Sequence, residues 1–292
     1  MNFNGFPPVI IIGMHRSGTS MLTRILEELG LFVGYKKNIK NNEALFFYKL
    51  NEWLLNQANA SWDNPHNFSF ISDIFKKRVI GVMGLHLRGF RRWEYLGFKR
   101  FLQYKDIRNL DFPWGWKDPR NTFTIDLWKE IFPDARILHI YRNPIDVAES
   151  LRKREVDAQG SFKSDWRKSV KECLLIGKVG YQGSLRLQNI YEGIQLWEEY
   201  TDKAFSLNRE FKENILHIRY ETFLENPETT LQHILEFIDM QVDKSSILAA
   251  AQMVKSDRKF AFIKDTGLIE IYRQIKEKDI MKKLSYHNIL DE

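Results

Sequence analysis

The sequence has very little cysteine. Cys173 stands alone, so no disulfide can form within the chain, and a reducing, cytoplasmic setting is expected. With no basic partner beside it, Cys173 reads as a filler rather than a nucleophile. Long apolar runs are also missing. Val9-Ile10-Ile11-Ile12 is far shorter than the roughly 20 residues a membrane helix needs. No basic segment precedes it as in a signal peptide, so neither a membrane span nor an anchor is expected. There is no internal repeat and no low-complexity linker. No recognition-helix or base-stacking pattern points to nucleic acid, whatever the charge.

What is present suits a globular enzyme. The chain has 292 residues, 43% hydrophobic, enough for one large α/β domain or two small ones. Its net charge of +6 favours an anionic partner such as a nucleotide, nucleic acid or an anionic membrane surface. A solvated Lys/Arg surface is the plainer reading of the same number. A small cofactor with several negative groups would take up part of the excess.

The most informative segment runs from Val9 to Leu22. It reads as a buried strand, a loop framed by Gly13 and Gly18, and the first turn of a helix. Loop amides and a helix N-terminus then face one anion. The four-residue frame is that of a nucleotide-binding P-loop, but Thr19 stands where the lysine would be. The cation lies inside the loop instead, at Arg16. Met21, Leu22, Ile25, Leu26 and Leu29 recur at helical spacing over Thr19–Leu29. Thr19 or Ser17 offers a capping oxygen and Gly30 a stop.

Further on, 43–59 reads as a helix with a wide aromatic face and 60–70 as a loop. Residues 72–110 read as helical and basic, with Lys76, Lys77, Arg78, Arg88, Arg91, Arg92, Lys99 and Arg100. Strands are expected before Asp118-Pro119, because the residue before proline disfavours helix, and at Ala135–Arg142 and Asn214–Tyr220. Helices should start at Pro144 and run over Pro227–Phe237. Strands alternating with helices predict an α/β fold, a P-loop-type parallel sheet flanked by helices. A single domain, 1–292, with a helical insertion at about 44–112 is expected. Ligands in such sheets sit at the carboxyl ends of the strands.

Arg16-Ser17-Gly18-Thr19-Ser20 resembles the 5′-phosphosulfate loop of sulfotransferases that use 3′-phosphoadenosine 5′-phosphosulfate (PAPS). Arg142 and Ser150, eight residues apart, resemble that family's 3′-phosphate motif, in which arginine grips the phosphate and serine adds a hydroxyl. Trp116-Lys117-Asp118-Pro119-Arg120 is similar to a run in protein-tyrosine and many bacterial sulfotransferases. There the lysine lies near the transferring sulfuryl group. Tyr220-Glu221, followed by Asn226-Pro227, is similar to another family segment; Tyr220 would then lie near the adenine, or else it is a core tyrosine.

The resemblance implies a cofactor-binding set of His15, Arg16, Ser17, Gly18, Thr19, Ser20, Arg142, Ser150 and Tyr220, with Arg16 and Lys117 as catalytic cations. It implies PAPS as donor, no metal, and a small-molecule, glycan or peptide acceptor. In protein-tyrosine sulfotransferases the general base is a glutamate after the first helix, and Glu43 is its nearest analogue here; the family's cytosolic branch uses a histidine instead. Asp63 and His66 are alternatives. Arg120 either supports the site or pairs with Asp118. The aromatic stretch 44–70 lines an acceptor pocket or, for most of its residues, packs the core. Residues 231–292 carry no motif beyond Lys264. Two rivals stay open: a P-loop nucleotide kinase, which would want the lysine that Thr19 replaces, and a non-catalytic nucleotide or polyanion binder.

Overall fold

Four parallel strands form the sheet, in the order β2-β1-β3-β4. They are β1 (Val9–Ile12), β2 (Gly115–Lys117), β3 (Arg136–Tyr141) and β4 (Ile215–Arg219). The computed structural model describes residues 5–39, 41–162, 183–255 and 258–290; Cys173 lies outside them. The chain separates into two compact units, Met1–Tyr141 with Tyr200–Lys259, and Arg142–Glu199 with Phe260–Glu292. The whole sheet belongs to the first.

β1 is buried along its full length, as a central parallel strand covered on both faces must be. Its alternate residues serve two cores. Ile10 and Ile12 pack with Phe46, Phe47, Trp114, Trp116 and Trp128. Val9 and Ile11 pack with Leu22, Ile25, Leu26, Phe223 and Leu231 on the other face. In the first core Phe47 lies flat on Trp116, ring centroids 3.9 Å apart and 5° from parallel. Most aromatics of 44–70 are therefore spent on packing, and Phe70 is an exposed exception.

α1 (Thr19–Glu28) follows the first loop. It ends at Gly30, whose φ is +103°. Gly30 N–H donates to Glu27 O and Leu31 N–H to Leu26 O, the paired bonds that close a helix through a left-handed residue. Its start differs from expectation. Gly18 is the capping residue, in left-handed conformation and with no side-chain bond. Neither Ser17 nor Thr19 caps it, because the chain enters the helix through Gly18, which has no side-chain oxygen to offer.

The expected helix over 43–59 is α2 (Leu45–Gln57). The basic stretch divides into α3 (Asp73–Arg88), a 3-10 turn at Phe90–Arg92, and α4 (Trp93–Gln103). Gly97, at φ +70°, kinks α4. α5 (Asn121–Ile131) links β2 to β3. In the second unit α6 (Pro144–Phe162) begins at Pro144; α7 (Ile190–Ser206) follows the 3-10 turn Arg186–Gln188, and its residues from Tyr200 on are counted with the first unit. The helix Pro227–Phe237 has its expected bounds, with Pro at its first turn. β1 connects to β2 on one side and the chain then crosses to β3 on the other. The loop after β1 thus lies where the strand order reverses, the usual ligand position in open α/β sheets.

A buried histidine sets one property of the sheet. His139 on β3 meets His217 on β4, Nδ1 to Nδ1, at 2.7 Å, and Nε2 of His217 lies 2.6 Å from Asn208 Oδ1. Burial first, then the charge of His217, holds the His139 imidazole well below its ordinary range. The unfolded chain takes up that proton at about pH 6.5, where the folded chain does not. Stability is therefore full above that pH and is lost as pH falls through it. The melting temperature should drop between about pH 7.5 and 5.5, and less so in His139→Leu. Equal slopes for both proteins would remove His139 from the account.

Candidate active site

The loop between β1 and α1 is wound through left-handed residues. Gly13 has φ +133°, Arg16 +72° and Gly18 +100°. A Cβ on Gly13 would stand 2.2 Å from the carbonyl oxygen of Ile140 on β3, and one on Gly18 would stand 2.5 Å from the Tyr220 ring. Both positions therefore need glycine for space as well as for conformation. Arg16, exposed and not glycine, is held in a region that ordinary residues seldom adopt, a condition that clusters at functional sites.

Ser17 N–H closes the loop on Met14 O at 3.2 Å, and Gly13 N–H reaches Thr122 Oγ1 at 3.4 Å. Met21 and Leu22 N–H turn back on Gly18 O, which leaves the N–H groups of Thr19 and Ser20 at the start of α1 without an intrahelical acceptor or a side-chain cap. Ser17 Oγ is buried with no partner. An uncapped ten-residue helix with an unsatisfied hydroxyl at its mouth suits an oxyanion such as phosphate or sulfate. His15 turns its ring edge-on to Trp62, centroids 4.7 Å apart. Ser20 Oγ donates to Asn41 O at 2.8 Å, and Thr19 is buried.

β2 places the second group. Lys117 is aligned with Ile11 of β1, two residues before Gly13. Its Nζ donates to Glu43 Oε1 at 3.1 Å, and both side chains are only 2% exposed. Glu43 is not a first-turn helix residue. It precedes Ala44, the cap of α2, and its carbonyl accepts from Asn38 N–H. Burial pushes the Glu43 carboxyl above its ordinary pKa, although Lys117 pulls it the other way. Burial likewise lowers Lys117, against the pull of Glu43. The two residues read separately from sequence as cation and base are thus one bonded pair. Asp63 instead accepts from Ser61 Oγ, and His66 packs against Phe70.

Beside this pair stands a second. Arg120 grips Asp118 through Nε to Oδ1 at 3.0 Å and Nη2 to Oδ2 at 2.9 Å, lies 4.0 Å over the Tyr48 ring, and donates to Tyr48 O. Asn51 ties it down. Its Nδ2 donates to Asp118 Oδ2 and to Asn121 Oδ1, while its Oδ1 accepts from Thr124 Oγ1 and Trp128 Nε1. Every hydrogen-bonding position of that amide is used, so its orientation is fixed. Sequence reading missed Asn51, since one asparagine on an aromatic helix gives no pattern to find.

Tyr220 is buried and touches the glycine frame at Gly18. With Met21, Arg24, Ile25, Met253, Lys255 and Arg258 it lines a cavity of about 460 Å³. Arg24, Lys255 and Arg258 were also missed. The adjacent basic residues Arg258-Lys259 were the one available cue.

The Arg142 motif belongs to the second unit. Arg142 Nη2 donates to Asp146 Oδ2 at 2.8 Å, and its carbonyl accepts from Trp197 Nε1. Asn143 Oδ1 accepts from Asp146 N–H, as a capping side chain does. Asp146 also accepts from the N–H groups of Ala261 and Phe262. The late segment that showed no motif is thus anchored on this one. Ser150 lies two turns into α6, and Lys264 closes the 3-10 turn Ala261–Lys264.

The protein is thus of the α/β class, a parallel four-stranded sheet flanked by helices, with a glycine-framed loop after β1 and a buried lysine–carboxylate pair beside it. Residues 7–244 match the Sulfotransferase family, and the chain belongs to that family. Among solved structures it is similar to the sulfotransferase domain of the Synechococcus PCC 7002 olefin synthase (16% identity, 89% of this chain and 81% of that one, TM-score 0.46). It is also similar to a sulfotransferase from Alicyclobacillus acidocaldarius (19%, 82% and 85%, 0.44) and to STF9 from Mycobacterium avium (15%, 94% and 77%, 0.43). No curated protein sequence matches it significantly. Among the described residues no helix is long and apolar enough to cross a membrane.

Proposed function

We propose that this sulfotransferase moves the sulfuryl group of PAPS to a hydroxyl or amine of a small-molecule, glycan or peptide acceptor by in-line displacement. The observation that carries the reading is the buried Glu43–Lys117 bond on the strand next to the one that feeds the cradle. Sulfuryl transfer, like phosphoryl transfer, asks mainly for positioning and for cations where charge grows. Arg16, the Ser17 hydroxyl and the N–H groups of Gly18 to Ser20 hold the 5′-phosphosulfate, with His15 inside the loop. Lys117 stabilises charge on the bridging oxygen. Glu43 keeps Oε1 on the lysine and takes the acceptor's proton at Oε2. Its raised pKa brings it nearer to the pH at which a base works best. Arg142 and Ser150 bind the 3′-phosphate and Tyr220 borders the adenine. The whole chain acts as one transferase domain in a reducing, cytoplasmic compartment, and fixed cations do the work that Mg²⁺ does in kinases.

The test is calorimetric titration with adenosine 3′,5′-bisphosphate, and separately with ATP and Mg²⁺. Preference for the bisphosphate without metal is expected. Arg142→Ala should then weaken the bisphosphate by about tenfold or more, the worth of one charge-assisted contact, and leave the 5′-monophosphate nearly unchanged. Preference for ATP with Mg²⁺ would move the chain to the kinases. Equal losses for both adenosine nucleotides would free Arg142 from the 3′-phosphate.

A further inference from the structure

The positive charge of this protein is not spread over it. Between Asp73 and Arg108 there are ten Lys or Arg and three Asp or Glu, so this segment alone, at +7, exceeds the +6 of the whole chain. Much of it is not spent on internal pairs. Lys77, Arg78, Lys99 and Lys105 are exposed and have no acidic partner among the described residues. Arg92 is the contrary case, its guanidinium taken up by backbone carbonyls of the 88–104 stretch.

The same segment exposes large apolar side chains. Ile74 is 85% exposed, Phe90 73% and Phe98 74%, with Leu85 and Leu102 also well exposed. On α3 the buried residues Val79, Met83 and Leu87 form one stripe. By helical spacing Ile74, Arg78, Gly81, Leu85 and Arg88 fall on the opposite side. Gly81 is exposed with nothing within 4 Å of where its Cβ would be, which keeps that outer face low. Phe90 sits in the turn joining the helices and contacts Phe101 edge-on at 5.5 Å. Phe98 and Leu102 are four residues apart on α4 and share a face.

We propose that this α3–turn–α4 surface docks the enzyme onto an anionic lipid bilayer. Protruding apolar side chains alternating with Lys and Arg make an interfacial pattern. The apolar groups enter the boundary between headgroups and acyl chains, and the long basic side chains stay at the phosphates. A protein partner fits less well, because lysine is depleted in protein interfaces and is frequent here. A soluble polyanion would use the charge but leave Ile74, Leu85 and Leu102 without purpose. The proposal does not depend on which nucleotide the cradle holds.

The full-length protein should co-sediment with vesicles of phosphatidylcholine containing about 30% phosphatidylserine and not with phosphatidylcholine alone. Raising salt from about 0.1 to 0.5 M should weaken binding at least tenfold or so. Phe90→Ser/Phe98→Ser and Lys77→Glu/Arg78→Glu should each lower binding about tenfold with unchanged melting temperature, since all four side chains are exposed. Three results would overturn the proposal. One is absence of vesicle binding at low salt. Another is binding that Phe90→Ser/Phe98→Ser leaves intact, which would reduce it to charge attraction. The third is capture by heparin with vesicles ignored, which would make the surface a polyanion site.

Discussion

Lys117→Met is expected to lower turnover by about 10²–10³-fold, the usual loss when one group that stabilises transition-state charge is removed. Donor affinity should change far less. Glu43→Gln should cost about 10²–10⁴-fold, as for a general base. Stability should tell the pair apart from two independent residues. Both side chains are buried and bonded to each other, so removing one leaves an uncompensated charge in the interior, worth about 3–5 kcal/mol if it stays ionised. In Lys117→Met the Glu43 carboxyl can escape by keeping its proton, since burial already raises its pKa. The folded state then binds more protons than the unfolded one. The variant's stability should therefore be greatest at low pH and fall as pH rises above the ordinary carboxylate range. Glu43→Leu/Lys117→Met should regain most of the stability and none of the activity. Additive losses in that cycle would mean that the bond couples nothing. In the intact enzyme the rate should follow a bell. Its acid limb should lie above the ordinary carboxylate value and its alkaline limb below the ordinary lysine value, because burial moves both groups inward.

The parts legible in the sequence were those whose physics is local. Val9–Ile12 had to be a strand covered on both faces, and Gly30 and Pro144 had to punctuate helices, because backbone conformation decides those positions. Lys117 and Glu43 were each singled out through a resemblance to family segments. Their bond was not, because 74 residues separate them and only the sheet register brings Lys117 alongside Ile11. Asn51 failed for the same reason: its partners Asp118, Asn121, Thr124 and Trp128 come from another segment. The cap of α1 was misread because propensity favours Ser or Thr there, while a loop passing against Ile140 and Tyr220 leaves room only for glycine. The stretch 72–110 was read as basic and helical, but not as two helices meeting at a turn. The positive φ of Gly97 has no mark in the sequence beyond the glycine itself.

Gly18→Ala is expected to damage the cradle through two causes that can be separated. At φ +100° any L side chain is strained, by about 1–2 kcal/mol. In addition, the new Cβ would stand 2.5 Å from Cδ2 and 2.8 Å from Cε2 of Tyr220. That ring cannot simply swing aside, because Tyr220 is buried against Ile140, Phe223 and Leu224 in the second core of the sheet. The variant should lose about 2–4 kcal/mol of stability, in the range of overpacked interiors plus backbone strain. It should also lose at least about tenfold in affinity for adenosine 3′,5′-bisphosphate, since the N–H groups at the start of α1 would be displaced from a common focus. Tyr220→Ala alone should cost stability by leaving a cavity. Combined with Gly18→Ala it should relieve the clash but not the backbone strain, so the double variant should be more stable than the sum of the two singles predicts. Affinity should return only in part. Full recovery in the double variant would show that the ring, and not the left-handed turn, is what makes glycine necessary at position 18.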